Sequence, residues 1–212
     1  TMSLEEMEQR KAPSGEVTLV GLGRLGLRTA LDLMQTHRGG PRKITAIDGQ
    51  TVSPDDLIFR MLGAEVGSYK TDLLEKLAGP GYSREIVGIP RYVSPETLDL
   101  VGGDVVCIAI AGGDTLPTTA SIIRHAQSIG ASTLSTMGVF GLVDADVGAV
   151  WIDEADPENP IVRTLLEHGV RNHLLVGTGK LIRDWEPVTP HVLDRVARLM
   201  SSEILRLLEM RK

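Results

Sequence analysis

Three glycines in the chain are spaced as in a turn that holds a phosphate group. The segment Gly21-Leu-Gly23-Arg24-Leu-Gly26 lies between an apolar run rich in β-branched residues and a helical pattern. In such a turn the first glycine permits a tight bend, the second leaves room for phosphate, and the third lets helix and strand pack closely. The segment predicts nucleotide binding, and Arg24 either contacts phosphate or points to solvent. The alternative is a glycine turn that serves packing alone.

An acidic residue follows at the position where a ribose would be held. Asp48 comes directly after the apolar run Lys43–Ile47, roughly 20 residues beyond the last glycine of the turn. A carboxylate at the end of this second strand can accept hydrogen bonds from ribose hydroxyls. The order of strand, glycine turn, helix, strand and acid therefore predicts a βαβ nucleotide-binding unit. It does not distinguish a nicotinamide cofactor from ATP.

A longer pattern resembles the ThiF/MoeB/ubiquitin-activating superfamily, whose members use ATP to adenylylate carboxylates. It consists of the run Asp48-Gly-Gln-Thr-Val-Ser-Pro-Asp-Asp-Leu-Ile-Phe-Arg60, then Gly-Ser-Tyr-Lys70, and then Asp114 just after a later apolar run. The resemblance covers most of residues 16–141 and returns in the last helix. It favours ATP over a nicotinamide cofactor because it accounts for charged residues that the glycine turn leaves unexplained.

The resemblance implies a task for each of these residues. Asp48 would bind the ribose of ATP, and Asp56 stands beside the phosphates where the family has Asn. Arg60 and Lys70 would neutralise the triphosphate, and Asp114 would hold Mg²⁺ between the phosphates. The implied reaction is attack of an ionised carboxylate on the α-phosphorus, which gives an acyl-adenylate and pyrophosphate. The alternatives are ordinary surface charge at the two cations and helix capping by the last acid.

The chain also departs from the superfamily pattern. Gln50 stands where a second acid is frequent, and Asp56 places a carboxylate where Asn is usual. Arg60 lies one residue later than usual, and the interval from it to Lys70 is shorter. These changes keep ATP as the expected nucleotide, but they also leave open a non-catalytic nucleotide-binding protein.

The single cysteine restricts the chemistry. Many superfamily members bind zinc through two Cys-x-x-Cys pairs, so no zinc site of that kind is expected in a chain with one cysteine. Cys107 lies in the middle of an apolar run, where burial raises the pKa of a thiol and prevents nucleophilic attack. The reaction is therefore expected to stop at the acyl-adenylate. Any thioester would form on an acceptor protein that carries a nucleophilic cysteine.

A compact chain with these features is similar to the adenylylating protein of iron-guanylylpyridinol cofactor biosynthesis. That resemblance implies a small-molecule substrate, the carboxylate of a guanylylpyridinol precursor, and a homodimer. Three alternatives stay open. They are an NAD(P)-dependent oxidoreductase, an enzyme that adenylylates the C-terminus of a ubiquitin-like protein, and the non-catalytic nucleotide-binding protein.

Strand and helix patterns alternate, which predicts an α/β fold: a Rossmann-like, doubly wound, mostly parallel sheet in a single ThiF-like domain. We expect a helical extension over residues 1–15, the nucleotide-binding domain over 16–212, and a substrate pocket formed mainly by 136–190. The expected strands are 16–20, 43–48, 86–93, 104–110, 131–136, 147–152 and 173–176. The expected helices are 25–37, 71–77, 118–129, 160–168 and a last helix from 190 to about 208.

Composition excludes several classes of partner. The chain has 22 basic and 28 acidic residues and a formal net charge of −6, which is a poor match for nucleic acid or an anionic membrane. No apolar run approaches the roughly 18 residues that a membrane-spanning helix needs. We therefore expect a cytoplasmic protein without nucleic-acid or membrane partners.

Overall fold

A computed structural model describes all 212 residues and contains one seven-stranded sheet. The strands are β1 Glu16–Val20, β2 Lys43–Ile47, β3 Glu85–Ile89, β4 Val105–Ile108, β5 Ser132–Thr136, β6 Gly148–Trp151 and β7 Leu174–Gly177. Their order across the sheet is β3-β2-β1-β4-β5-β7-β6. Every neighbouring pair is parallel except β6 and β7, which are antiparallel. The predicted α/β fold with a mostly parallel, doubly wound sheet is confirmed.

Seven α-helices flank the sheet. They are α1 Leu4–Gln9, α2 Arg24–Met34, α3 Leu57–Met61, α4 Asp72–Ala78, α5 Leu116–Ser128, α6 Pro160–Glu167 and α7 Pro190–Glu209. Alternate residues of β4 serve two cores because successive side chains of a strand point to opposite faces. Val105 and Cys107 pack in the core with α2 and α7, whereas Val106 and Ile108 pack in the core with α5 and α6.

Every expected strand and helix forms, and most differences lie at their ends. The third strand ends at Ile89, earlier than predicted, because Pro90 has no N–H to donate to a neighbouring strand. The fourth ends at Ile108, so Ala109 and Ile110 already belong to the loop that follows it. Helix α3 was not predicted, since five residues are too few to show a helical period. No helix combines the length and the apolar character needed to cross a membrane.

The sheet brings the predicted site residues to one edge. Strand β1 lies between β2 and β4, so the chain reverses its direction of travel across the sheet at this point. Ligands of open α/β sheets bind outside the carboxyl ends of the strands at such a reversal. Gly21 follows β1, Asp48 follows β2, and the loop that contains Asp114 follows β4. This edge, which we call the nucleotide edge, is therefore the place to look for the site.

Candidate active site

The glycine turn has a backbone that only glycine permits at two of its three positions. Gly21 has φ of +92°, and a Cβ added there would lie 2.5 Å from the carbonyl oxygen of Ala109. A Cβ on Gly26 would overlap the carbonyl of Gly21. Gly23 is different, because a Cβ there would meet nothing within 4 Å. The first and third glycines are thus required by the protein's own packing, whereas the second faces open space that a phosphate can fill.

The N-terminus of α2 opens onto this space. Gly23 is the N-cap residue and supplies no side-chain cap, so the first N–H groups of the helix are left without a side-chain acceptor. An anion at this position would meet both those N–H groups and the positive end of the helix dipole. Arg24 is exposed as the first residue of the helix, and its side chain makes no recorded hydrogen bond. Its guanidinium is free to contact a bound phosphate.

Asp48 is joined to the glycine turn by its carboxylate. Its Oδ2 accepts a hydrogen bond from the N–H of Leu22 at 2.7 Å, and its Oδ1 accepts one from the N–H of Gln50 at 2.7 Å. These contacts fix the carboxylate between the turn after β1 and the loop after β2. Each carboxylate oxygen can accept more than one hydrogen bond, so both can still accept hydrogen bonds from ribose hydroxyls.

Lys70 lies at the same edge but is almost fully buried, with 6% of its surface exposed. Its Nζ donates to Oε1 of Gln50 at 2.8 Å and lies 3.4 Å from Oδ1 of Asp56. The ammonium also lies 5.4 Å from the centroid of the Phe59 ring, within the range of a cation–π contact. The chain thus holds this cation with one amide, one carboxylate and one aromatic ring.

The carboxylate of Asp56 is kept ionised by its neighbours. Burial raises its pKa, but hydrogen bonds from Ser53 and the positive charge of Lys70 outweigh burial, and the net effect is a lowered pKa. The hydrogen bond from the N–H of Ser53 to Oδ2 measures 2.8 Å. Asp56 therefore does not present an unpaired negative charge to the phosphates, since its charge is matched by Lys70.

Arg60 and Asp114 are exposed and lie on opposite sides of the glycine turn. Arg60 is on α3, and its Nη1 donates to the carbonyl of Pro54 at 3.0 Å, which leaves its other N–H groups free. Asp114 lies in a short 3-10 turn, Gly113–Thr115, after β4. No hydrogen bond or ion pair joins Asp114 to Arg60 or Lys70. The structure thus groups Asp48, Asp56 and Lys70, and leaves these two separate.

The structure contains no group of three or more His, Cys, Asp or Glu side chains that could hold a metal ion by themselves. A Mg²⁺ ion at Asp114 would therefore take most of its oxygen ligands from nucleotide phosphates and water, which is the usual way this ion is held beside ATP. An exposed carboxylate in the loop after β4, at the same edge of the sheet as the glycine turn, fits that role.

Two loops from the second half of the chain also reach the nucleotide edge, because β5 and β7 end there. The residues after β5 pair with those after β7: the N–H of Gly141 donates to the carbonyl of Pro187 at 2.9 Å, and Oγ1 of Thr178 donates to the carbonyl of Phe140 at 2.8 Å. An ion pair between Lys180 and Glu186 lies within the second loop. The position of both loops agrees with a substrate pocket in residues 136–190, which stays a prediction.

The two tryptophans lie at opposite edges of the sheet. Trp151 pairs with Leu174, the first residue of β7, and so lies at the edge away from the glycine turn. It lines a cavity of about 440 Å³ there, and a second cavity of about 620 Å³ lies beside α1. Neither cavity includes a residue of the glycine turn or Asp48. Cavity size does not locate the nucleotide site, whereas the backbone geometry of the turn does.

Two buried titratable groups are uncharged at neutral pH. Burial raises the pKa of the Cys107 thiol to about 12, so the thiolate is absent and the prediction of a buried cysteine is confirmed. His173 is also fully buried, between Oγ1 of Thr133 at 2.8 Å and Oγ of Ser135 at 2.7 Å. Burial lowers the pKa of this histidine to about 3, which keeps the ring neutral.

Sequence reasoning missed one residue of the site. Gln50 was interpreted only as the loss of a second acid, but its side chain accepts the hydrogen bond of Lys70. The contact exists because residues 50–52 pair with residues 67–70, as in the hydrogen bond from the N–H of Lys70 to the carbonyl of Gln50 at 3.0 Å. No local pattern in the sequence marks this pairing.

The reversal point of this parallel sheet carries a glycine turn, an acid fixed beside it by a hydrogen bond, and a buried lysine. This arrangement defines a ThiF-like fold with a candidate nucleotide site. No protein-family model matches the chain. A structure of the Escherichia coli tRNA N6-threonylcarbamoyladenosine dehydratase TcdA in complex with ATP shares the fold, with a TM-score of 0.79 at 19% identity, over 98% of this chain and 90% of that one.

Two other relatives are much more similar in sequence. An uncharacterised protein of Methanocaldococcus jannaschii is 39% identical over 207 residues, which are 98% of this chain and 82% of the relative. The guanylylpyridinol- and ATP-bound HcgE from Methanothermobacter marburgensis is 64% identical, with a TM-score of 0.94, over 96% of this chain and 99% of that one. The chain belongs to the HcgE family.

Proposed function

We propose that this protein uses ATP to adenylylate the carboxylate of a guanylylpyridinol, releasing pyrophosphate. The observation that carries the proposal is the junction of the glycine turn with Asp48, made by the hydrogen bond from the N–H of Leu22. It builds one binding surface for the phosphates and ribose of a nucleotide. The 64% identical HcgE has been solved with guanylylpyridinol and ATP bound, which supports the choice of both substrates.

The proposed reaction is a displacement at the α-phosphorus of ATP. One oxygen of the ionised substrate carboxylate forms a bond to this phosphorus, and the bond to the β-phosphate oxygen breaks with its electron pair on pyrophosphate. No general base is needed because the carboxylate is already deprotonated at neutral pH. The protein's task is to position the two reactants and to stabilise the negative charge that moves onto pyrophosphate.

The position of each residue supports the role that we propose for it. Asp48 holds the ribose, and Gly23 with the N-terminus of α2 receives a phosphate. Arg60 and Lys70 stabilise charge on the triphosphate; Lys70 has one donor left beyond Gln50 and Asp56. Asp114 would hold Mg²⁺, and the bound ion would supply further charge stabilisation.

Further parts of the proposal rest on the superfamily resemblance. One part, the cytoplasmic location, rests instead on composition. The parts that rest on the resemblance are the dependence on Mg²⁺, the homodimer, and an acceptor protein whose cysteine takes the acyl group. The buried thiol of Cys107 supports the last of these, because this chain offers no thiolate of its own.

The test is exchange of labelled pyrophosphate into ATP in the presence of candidate carboxylates. Exchange is expected with guanylylpyridinol and not with a peptide that ends in Gly-Gly. Exchange with the peptide alone would assign the protein to ubiquitin-like substrates instead. Absence of exchange with any carboxylate, together with tight NADH binding in a parallel titration, would favour the oxidoreductase; ATP binding without exchange would favour a non-catalytic nucleotide-binding protein.

A further inference from the structure

Trp185 is the most exposed large hydrophobic residue of the chain, with 91% of its surface accessible. It lies in the loop between β7 and α7, at the nucleotide edge. Its backbone has φ of +56°, the left-handed conformation that bulky residues avoid because of steric crowding. Two features of Trp185 are therefore unfavourable in the unliganded protein: its large aromatic side chain is exposed to solvent, and its backbone is in the left-handed conformation.

The loop is tied down on both sides of this tryptophan. Before it, the N–H of Leu181 donates to Oδ2 of Asp184 at 2.6 Å. After it, Glu186 forms an ion pair with Lys180, and its Oε2 accepts a hydrogen bond from the N–H of Leu142 at 3.2 Å. The indole therefore projects from a defined turn, and not from a loose chain end. Such a turn fixes the position of the Trp185 backbone, and the exposed indole is accessible to a ligand.

The loop is within reach of a substrate whose carboxylate lies at the ATP phosphates. In the proposed function the phosphates lie at the glycine turn between the ends of β1 and β4. Strand β7, which leads into the loop of Trp185, lies two strands beyond β4. At about 4.8 Å between neighbouring strands, this separation is roughly 10 Å. A substrate that points its carboxylate at the α-phosphorus and extends along the edge over β5 would bring a ring system close to Trp185.

We infer that Trp185 stacks on a planar ring of the acyl substrate and thereby selects flat heteroaromatic carboxylic acids. The inference rests on the proposed function, since it concerns the second substrate of the same site. Guanylylpyridinol offers two planar groups, the pyridinol ring and the guanine base, and both present the same stacking chemistry. The contact would bury the exposed indole face and so remove one of the two unfavourable features of the unliganded loop.

The chain allows a clean fluorescence test because it has only two tryptophans. In the W151F variant Trp185 is the only tryptophan, and with excitation selective for tryptophan, guanylylpyridinol added to the ATP-bound protein is expected to quench and shift its emission. In the matched W185F variant the remaining emitter is Trp151, at the opposite edge, and no change is expected. Separate titrations with a pyridinol acid that lacks the guanylyl group and with GMP identify which ring makes the contact.

Kinetics supply a second, independent measurement. W185A is expected to raise the KM for guanylylpyridinol by roughly tenfold or more, as expected for a lost aromatic stack, with the KM for ATP unchanged. W185F should restore most of the loss. Because the residue is exposed, W185A should fold, and its unfolding midpoint provides the check.

The outcomes separate this inference from the proposed function. Failure of the wild-type protein to exchange pyrophosphate would refute adenylylation, but the fluorescence titration would still decide whether Trp185 meets the ring. Unchanged emission of W151F on saturation with guanylylpyridinol, or an unchanged KM in W185A, would overturn the inference. So would an emission change caused by an acceptor protein and not by the small molecule.

Discussion

Replacing Asp48 by Asn should weaken ATP binding and should also lower the stability of the fold. The amide keeps the size of the side chain but removes its charge. It also places an NH₂ group at the position of one carboxylate oxygen, which in the wild type accepts a hydrogen bond from a backbone N–H. At one of the two sites, Leu22 or Gln50, a backbone N–H therefore loses its acceptor. We expect a loss of about 1–3 kcal/mol in the free energy of unfolding from this group alone.

The effect on ATP comes from the lost charge. A hydrogen bond to a charged group contributes about 1.5–3 kcal/mol, which corresponds to roughly 10- to 150-fold in affinity. The assay is calorimetric titration of the folded variant with ATP and Mg²⁺. Urea unfolding of the same preparation separates the loss of affinity from the loss of stability.

Asp104 provides a matched control. It lies at the opposite edge of the sheet, where its Oδ2 accepts a hydrogen bond from the N–H of Glu16 at 2.8 Å. Replacement of Asp104 by Asn also removes one carboxylate charge, together with an ion pair to Arg211, but should leave ATP affinity unchanged. If a folded Asp48→Asn protein bound ATP as tightly as the wild type, or if both variants lost affinity equally, the assignment of Asp48 to the ribose would be wrong.

Three further predictions concern two buried groups, Cys107 and His173, and one exposed group, Asp114. C107A should keep full pyrophosphate exchange and lose roughly 1 kcal/mol of stability, and an inactive but folded variant would contradict the assignment. The pKa of His173 is about 3 in the folded chain, whereas the ordinary pKa of histidine, which applies to the unfolded chain, is 6.5. As pH falls below 6.5 only the unfolded chain binds a proton at this histidine, so the free energy of unfolding decreases. Between pH 7 and 5, urea unfolding should show about 2 kcal/mol more loss in the wild type than in H173Q, and equal losses would contradict the burial argument. D114A should reduce the exchange rate by an amount equivalent to about 2–4 kcal/mol with a much smaller change in ATP affinity, and the reverse pattern in exchange and titration data would exclude the Mg²⁺ role.

The order of elements could be predicted from the sequence because strand and helix patterns are local. Each apolar run and each helical stripe extends over only a few residues, and the glycines mark the turns between them. The direction of β6 could not be predicted in the same way. It depends on the path of residues 137–147. These residues stay at the nucleotide edge after β5, so that β6 begins beside the end of β7 and runs antiparallel to it. That path is set by contacts with a loop some 40 residues later, such as the hydrogen bond from Thr178 to Phe140.

The same distinction applies to the site. The glycine turn was predictable because the constraints on Gly21 and Gly26 come from the backbone of the turn and of the neighbouring strand's end. The neighbourhood of Lys70 was not, because Gln50 lies 20 residues away in sequence and meets it only through the pairing of two loops. The roles of Arg60, Lys70 and Asp114 toward ATP stay predictions, since the structure fixes their positions and not their ligands.

The two departures from the superfamily pattern at Gln50 and Asp56 are a single feature of the structure. In the sequence they are separate changes, and each by itself weakens the match near the phosphates. In the folded chain both side chains contact the ammonium of Lys70, one through its amide oxygen and the other through its carboxylate. Removing either member of a buried ion pair is strongly destabilising, by about 3–5 kcal/mol, because the remaining charge is left without a partner. A variant of Lys70 would therefore combine loss of folding with loss of catalysis, whereas Arg60, which is exposed, can report on the charge of the triphosphate alone.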